Sequence, residues 1–447
     1  MRILLFLALP FFFGGDLLGQ QVPRPALEGA TELTPEEAVR LGLEHSRLVG
    51  AARADAGAAR AAFRQVQASR LPAVRVRGDY RRLVGDVPAP DIAIPGFDTT
   101  FAIFPIPRDQ VHTEISLEQP LFQGGRLRNQ ARAAEHEAEA AGLLAEQEEA
   151  DVALGVRSAY WELYRARSGM ESVEAALTQM EAHVRDLENL FEEGVILRSE
   201  LLAALTRRSE VRLDLVEANN AVRVAALELN RLIGLPLDAE VEPVPGADPQ
   251  PLGGDPERLV QQALEDRPHL RALEERTRAL ERQVGVARGT WLPEVSLVAR
   301  YTYARPNPLV LTEMDEFRGI GEAGILLSWS VFEGGRRPAQ AAEAQSRLRA
   351  AEERLADARE QVDVNVQRRV LETVRADEAL AVAREHAEQA EEAFRVISEQ
   401  FEEGVVLSAQ VLEAEQVHRA AQAGRAAAVA QQAVARAALL NALGQVW

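Results

Sequence analysis

The sequence predicts a mainly helical chain with membrane β-strands: four strands and long coiled-coil helices per chain, laid out twice by an internal duplication. Three observations predict it. Motifs of the first half return in the second in the same order, four segments alternate apolar with polar side chains, and two very long stretches keep heptad spacing.

The chain opens with what reads as a signal peptide over residues 1–20: Arg2, an apolar block from Ile3 to Phe13, then Gly14, Gly15 and Asp16. The block is roughly half of the ~20 apolar residues a membrane-spanning helix needs, so export is expected and anchoring is not. No later run approaches that length, which leaves a β-barrel as the way for this chain to sit in a bilayer. The absence of Cys excludes disulfides, thiolate metal sites, Cys nucleophiles and a lipid-bearing N-terminal Cys. A net charge of -19 argues against nucleic acid, where affinity comes from Lys and Arg on phosphates.

The first repeat is expected over 33–234. It starts with a helix from about Thr34 to Ser69, whose Thr34, Pro35 and Glu37 form a capping-box signature. Strands follow at about 72–80 and 111–121, then Gly124-Gly125, a long helix, a tight turn and a returning helix. Residues 235–254, rich in Pro, Gly and Asp, read as a linker with a short strand at Glu240 to Glu242. The second repeat, 255–447, begins a helix near Asp255-Pro256-Glu257 and places strands at about 293–303 and 322–332, ahead of Gly334-Gly335.

The repeat itself is read from shared offsets. Phe191-Glu192-Glu193-Gly194-Val195 returns as Phe401-Glu402-Glu403-Gly404-Val405, and Phe122-Gln123-Gly124-Gly125-Arg126 as Phe332-Glu333-Gly334-Gly335-Arg336, both 210 residues on (401 less 191, 334 less 124). Leu71-Pro72 through Tyr80 matches Leu292-Pro293 through Tyr301 at 221 (292 less 71), so the first copy has the longer loop between its strands.

In the first strand Val74, Val76 and Tyr80 alternate with Arg75, Arg77 and Asp79; in the second, Val111, Thr113, Ile115 and Leu117 alternate with His112, Glu114, Ser116 and Glu118. The third and fourth put Val295, Leu297, Ala299, Tyr301 and Tyr303, and Ala323, Ile325, Leu327, Trp329 and Val331, on one face. Apolar outward and polar inward is the pattern of a membrane barrel. Four strands alone leave two edges of unpaired backbone groups in lipid, so further copies must close the wall. Two copies give about eight strands and a filled interior, whereas three give about twelve and a lumen.

From Arg126 to about Glu192 there is no Pro, and Ala166, Met170, Val173, Leu177, Met180, Val184, Leu187 and Phe191 alternate steps of four and three. Ala376, Leu380, Ala383, Ala387, Ala390, Phe394, Ile397 and Phe401 keep that phase. Each helix would be roughly 100 Å long.

This order, twice over, with Phe-x-Gly-Gly-Arg ending a strand and Phe-Glu-Glu-Gly at a helical turn, resembles the outer membrane efflux protein family of TolC-type channels over about Leu33 to Leu443. The resemblance implies a homotrimer in outer-membrane lipid with a periplasmic α-barrel. It further implies the exit of a tripartite efflux pump or type I secretion system, working with a periplasmic membrane-fusion adaptor and an inner-membrane transporter. It places adaptor docking at the turns, on Phe191, Gly194, Val195, Leu197 and Ser199, and on Phe401, Gly404, Val405, Leu407 and Ser408. Family tips often carry Ser or Thr three residues after the Gly. Here that place holds Leu197 and Leu407, and Ser199 and Ser408 stand where either could cap its helix.

Glu192, Glu193, Glu200, Glu402, Glu403 and Glu413 gather acid at the turns, and threefold repetition would form rings that favour cations at an aperture. Gly124, Gly125, Gly334 and Gly335 are the expected strand-to-helix turns. No catalytic, cofactor or metal motif is present: the seven His residues lack H-E-x-x-H or comparable spacing, so no enzyme is expected. The rival to a pore is a periplasmic coiled-coil adaptor or scaffold, which would carry one hairpin and not strands recurring in both halves.

Overall fold

The computed structural model describes residues 31–85, 91–93, 100–102, 107–244, 255–310 and 315–445; the expected signal peptide and the second half of the 235–254 segment lie outside them. In chain order the elements are β1 (Thr31–Leu33), α1 (Pro35–His45), α2 (Arg47–Ala68), β2 (Ala73–Arg82), β3 (Asp91–Ala93), β4 (Thr100–Ala102), β5 (Asp109–Gln123), α3 (Arg126–Glu192) and α4 (Arg198–Ile233). Then come β6 (Val241–Pro243), α5 (Pro256–Asp266), α6 (Pro268–Gly289), β7 (Glu294–Arg305), β8 (Arg318–Ser328), α7 (Arg336–Glu402) and α8 (Ser408–Ala442). Among the described residues no helix is long and apolar enough to cross a membrane.

The chain divides into two compact units. One comprises 47–154, 249–386 and the residues from 431 on. Its centre is an antiparallel sheet in the order β2-β5-β7-β8. Register makes one face continuous: Val74 stands opposite Leu117, Leu117 opposite Ala299, and Ala299 opposite Ala323, while Val76, Ile115, Tyr301 and Gly321 form the next row. That face is apolar yet open, Val76 and Ile325 each being 71% exposed. The opposite face is charged, with Arg75 paired to Glu118 at 3.0 Å and Arg300 to Glu114 and Glu322 at 3.4 and 3.2 Å. Aromatic side chains mark both ends of the apolar face. Trp329 donates its indole N–H to the Trp291 carbonyl at one end, and Tyr303 stacks on Phe317 at the other. From Val295 to Tyr303 the strand covers about 26 Å at ~3.3 Å per residue, close to the height of a membrane barrel's apolar band.

The fourth strand differs from its expected bounds of 322–332, running instead from Arg318 to Ser328. It is held wherever β7 offers a partner, from Ala304 opposite Arg318 to Glu294 opposite Ser328, and beyond Ser328 no β7 residue remains to pair. The alternation of Trp329 and Val331 therefore continues past the observed ladder. Below the sheet the unit packs Ala263 of α5, Val362 and Val366 of α7, and Leu439, Ala442 and Leu443 near the end of α8 into one core.

The other unit comprises the residues up to 46 with 155–248 and 387–430. Parallel β1 and β6 join its ends, Leu33 standing opposite Pro243. The buried Tyr160 hydroxyl of α3 lies between the carbonyl oxygens of Leu33 and Val244, at 2.8 and 2.6 Å, which fixes this pair on the helix. The capping box of α1 forms: the Glu37 N–H donates to Thr34 Oγ1 at 3.3 Å and the Thr34 N–H to Glu37 Oε2 at 3.0 Å.

One continuous helix from Thr34 to Ser69 is not what forms. Ser46 is extended (φ -64°, ψ 124°), and Arg267 takes the same conformation (φ -63°, ψ 118°) between α5 and α6. Pro268 explains the second break, because proline disfavours the helical region for the residue before it. No proline follows Ser46.

Candidate functional site

The helical turns close the α3/α4 and α7/α8 hairpins within the unit that carries β1. At each turn a glycine adopts a left-handed conformation, Gly194 at φ 74° and Gly404 at φ 75°. The chain then folds back on its own helix end: Val195 N–H donates to the Leu190 carbonyl at 2.8 Å and Val405 N–H to the Gln400 carbonyl at 2.9 Å. Two apolar side chains per turn are left standing out, Val195 and Leu197 at 66% and 69% exposed, Val405 and Leu407 at 68% and 67%.

Neither serine takes the capping role the sequence suggested for it. Leu197 is the N-cap of α4 without a side-chain bond, which puts Ser199 inside the first turn. The Ser408 hydroxyl meets His183 Nε2 at 2.8 Å, while the Leu407 N–H donates to Gln410 Oε1 at 3.2 Å. Phe401 packs edge-on against His183, 5.1 Å between ring centroids, and joins the cluster of Val184, Leu187 and Ala204; Phe191 stays 38% exposed. Burial holds the His183 imidazole below its usual range, against the opposing charge of Asp186.

A groove of about 810 Å³ runs along this hairpin end. It gathers Glu193, Glu200 and Glu402 from the sequence-predicted acidic set with His183, Phe401, Leu407 and Ser408, and leaves out Glu192, Glu403 and Glu413. It also contains Asp186 and Glu415, which sequence reasoning missed. Glu415 is 3% exposed. Among the described residues its carboxylate oxygens accept no hydrogen bond, and its cationic neighbours stand at 3.7 Å (Arg419) and 3.9 Å (Arg207). Burial pushes this carboxyl up despite those arginines and His418, with Asp214 adding to the rise. Arg419 in turn pairs with Asp214 of α4. A signal for this network was present: at the 210 offset Glu415 replaces Leu205 on the packed side of the helix.

The strand-to-helix turns use Gly124, Gly125, Gly334 and Gly335, all at positive φ. A Cβ on Gly124 would collide with the Gly289 carbonyl and come within 2.9 Å of Leu292 Cβ, whereas one on Gly334 would meet nothing within 4 Å among the described residues.

A family model described as outer membrane efflux protein matches residues 38–235 and 259–445. The chain is 27% identical over 342 residues to the outer membrane efflux protein BepC of Brucella suis biovar 1 (strain 1330), across 74% of this chain and 72% of that protein. Its fold is similar to that of the CmeC outer membrane channel of Campylobacter jejuni, with a TM-score of 0.77 and 16% identity over 92% of this chain and 85% of that one. The outer membrane protein VceC of Vibrio cholerae gives a TM-score of 0.74 and 20% identity over 92% of this chain and 96% of that one.

Proposed function

Because the chain belongs to the outer membrane efflux protein family, we propose that it is an outer-membrane exit channel of a tripartite efflux pump or type I secretion system. It is a passive duct, opened by a periplasmic adaptor and an inner-membrane transporter, and it needs no catalytic group. The observation that carries this is the sheet: an exposed apolar face backed by a charged one, with β2 and β8 each bonded to a single neighbour among the described residues. In lipid such edges cost several kcal/mol per unpaired group, so three identical chains close one barrel of twelve strands.

The internal duplication supplies the register of that closure. Within one chain β2 pairs with β5 as β7 pairs with β8, because Arg75 opposite Ser116 becomes Ser296 opposite Leu326 under the offsets of 221 and 210. Applying the same offsets to β5 and β7, where Ser116 faces Arg300, sets Leu326 of one chain opposite Asp79 of the next. It also gives Trp329 a partner in Val76, extending β8 past Ser328, and brings Gly334 against the Ala68–Leu71 corner as Gly124 meets Gly289 and Leu292.

The exposed apolar pairs at the helical turns, with Phe191 and Phe401 behind them, dock the adaptor. Glu193, Glu200 and Glu402, repeated three times, make the narrow end cation-preferring. Detergent-purified protein is expected to conduct in planar bilayers and to remain with outer membranes after a salt wash. Glu402→Gln is expected to lower the preference for cations. A salt-extractable, non-conducting protein would instead favour a periplasmic scaffold.

A further inference from the structure

A set of metal-ligating side chains comes together where α3 meets α6, in the unit that carries the sheet. His136 and Glu139 lie one helical turn apart on the same face of α3, and α6 brings Glu275 to them from 139 residues away. His136 Nδ1 stands 2.7 Å from Glu275 Oε2 and 3.6 Å from Glu139 Oε2. One ligand atom from each of the three lies within 4.8 Å of the others. Two atoms bound at about 2.1 Å to a tetrahedral ion sit about 3.4 Å apart, so the His136–Glu275 pair at 2.7 Å would open and the His136–Glu139 pair at 3.6 Å would close slightly around an ion.

We propose that His136, Glu139 and Glu275 bind a divalent first-row transition-metal ion of the zinc class. An imidazole nitrogen with two carboxylates suits such an ion, whereas calcium and magnesium select oxygen alone. The site is built for access and for orientation. The Glu139 side chain is 55% exposed and leaves a path for the ion, while His136 and Glu275 are 20% and 13% exposed and hold their places. Arg278 pairs with the remaining oxygen of Glu275, the arrangement by which an outer group orients a ligating carboxylate. Three protein ligands leave a fourth position to water. Bound metal would clip α6 to α3 a few turns from Gly124-Gly125.

The test is calorimetric titration of the chelator-treated, detergent-solubilised full chain with zinc chloride, with cobalt absorption as a spectroscopic readout. The expected result is one ion per chain, with micromolar or tighter affinity and a raised melting temperature in zinc. His136→Ala and Glu275→Gln should abolish binding, and Glu139→Gln should weaken it by about tenfold or more. His386→Ala, at an exposed histidine elsewhere on α7, should leave it unchanged. Absence of saturable binding, or equal binding by the His136→Ala chain, would overturn the assignment. Should the two more buried variants fail to fold, Glu139→Gln decides it alone, and unchanged affinity there refutes the site.

Discussion

The two helical hairpins end in the same motif and the same left-handed glycine, yet they are held in different ways. The α3/α4 end closes on Val184, Leu187 and Ala204 with leucines around them, and takes in Phe401 from its neighbour. The α7/α8 end packs alanines, Ala387, Ala390 and Ala421, and puts a buried carboxylate where the first has Leu205. Its ion pairs reach Arg207 and Asp214 of α4. The first hairpin thus closes mainly on its own apolar side chains, whereas the second is tied to the first by charge. The strand-to-helix turns repeat the lesson, Gly124 being packed against backbone and Gly334 open.

The largest expected consequence lies in the α3/α4 hairpin. Leu187 is fully buried, so Leu187→Ala should destabilise by about 3 kcal/mol, against about 1 kcal/mol for Ile397→Ala at the matching, half-buried position. Urea unfolding followed by circular dichroism reads the difference, and equal losses would erase the asymmetry. Next come the glycine turns. Alanine at Gly334 should cost about 1 kcal/mol of left-handed strain in the isolated chain, and alanine at Gly124 about twice that or more, because a backbone carbonyl stands in the way. If both cost the same in the detergent-solubilised assembly, Gly334 is packed there too, as the proposed chain-to-chain contact requires.

The smallest effect is one of pH. Burial raises the Glu415 carboxyl above its unfolded value, so its favourable contribution is full when the group is protonated, below the ordinary carboxylate range. That contribution is lost as pH rises through the ordinary value and past the raised one. Glu415→Gln should therefore match the native chain near pH 4 and exceed its stability at pH 8; a gap independent of pH would show that the arginines fully offset the burial.

Much of this fold was legible in local chemistry. Alternation located the four strands of the central sheet because their two faces meet different surroundings, the apolar one largely exposed within one chain. The capping box at Thr34 and Glu37 and the turn glycines are set by residues within a few positions of one another. What escaped depended on distant partners. The end of β8 is fixed by where β7 stops, and the break at Ser46 carries no proline to announce it. Ser408 was claimed by His183 from another helix, and Glu275 reaches His136 only after α6 folds onto α3. The acidic set split for the same reason, since residues adjacent in sequence, such as Glu402 and Glu403, point different ways from a helix end.

The shared barrel is tested most directly by a disulfide across the proposed seam, in a chain whose lack of cysteine leaves no background. With Asp79→Cys and Leu326→Cys in one chain, oxidation in outer membranes should give a ladder that ends at the covalent trimer, and moving the second cysteine by one residue to Leu327 should weaken it. Exclusively monomeric product at both positions, or a ladder running past three chains, would contradict the account.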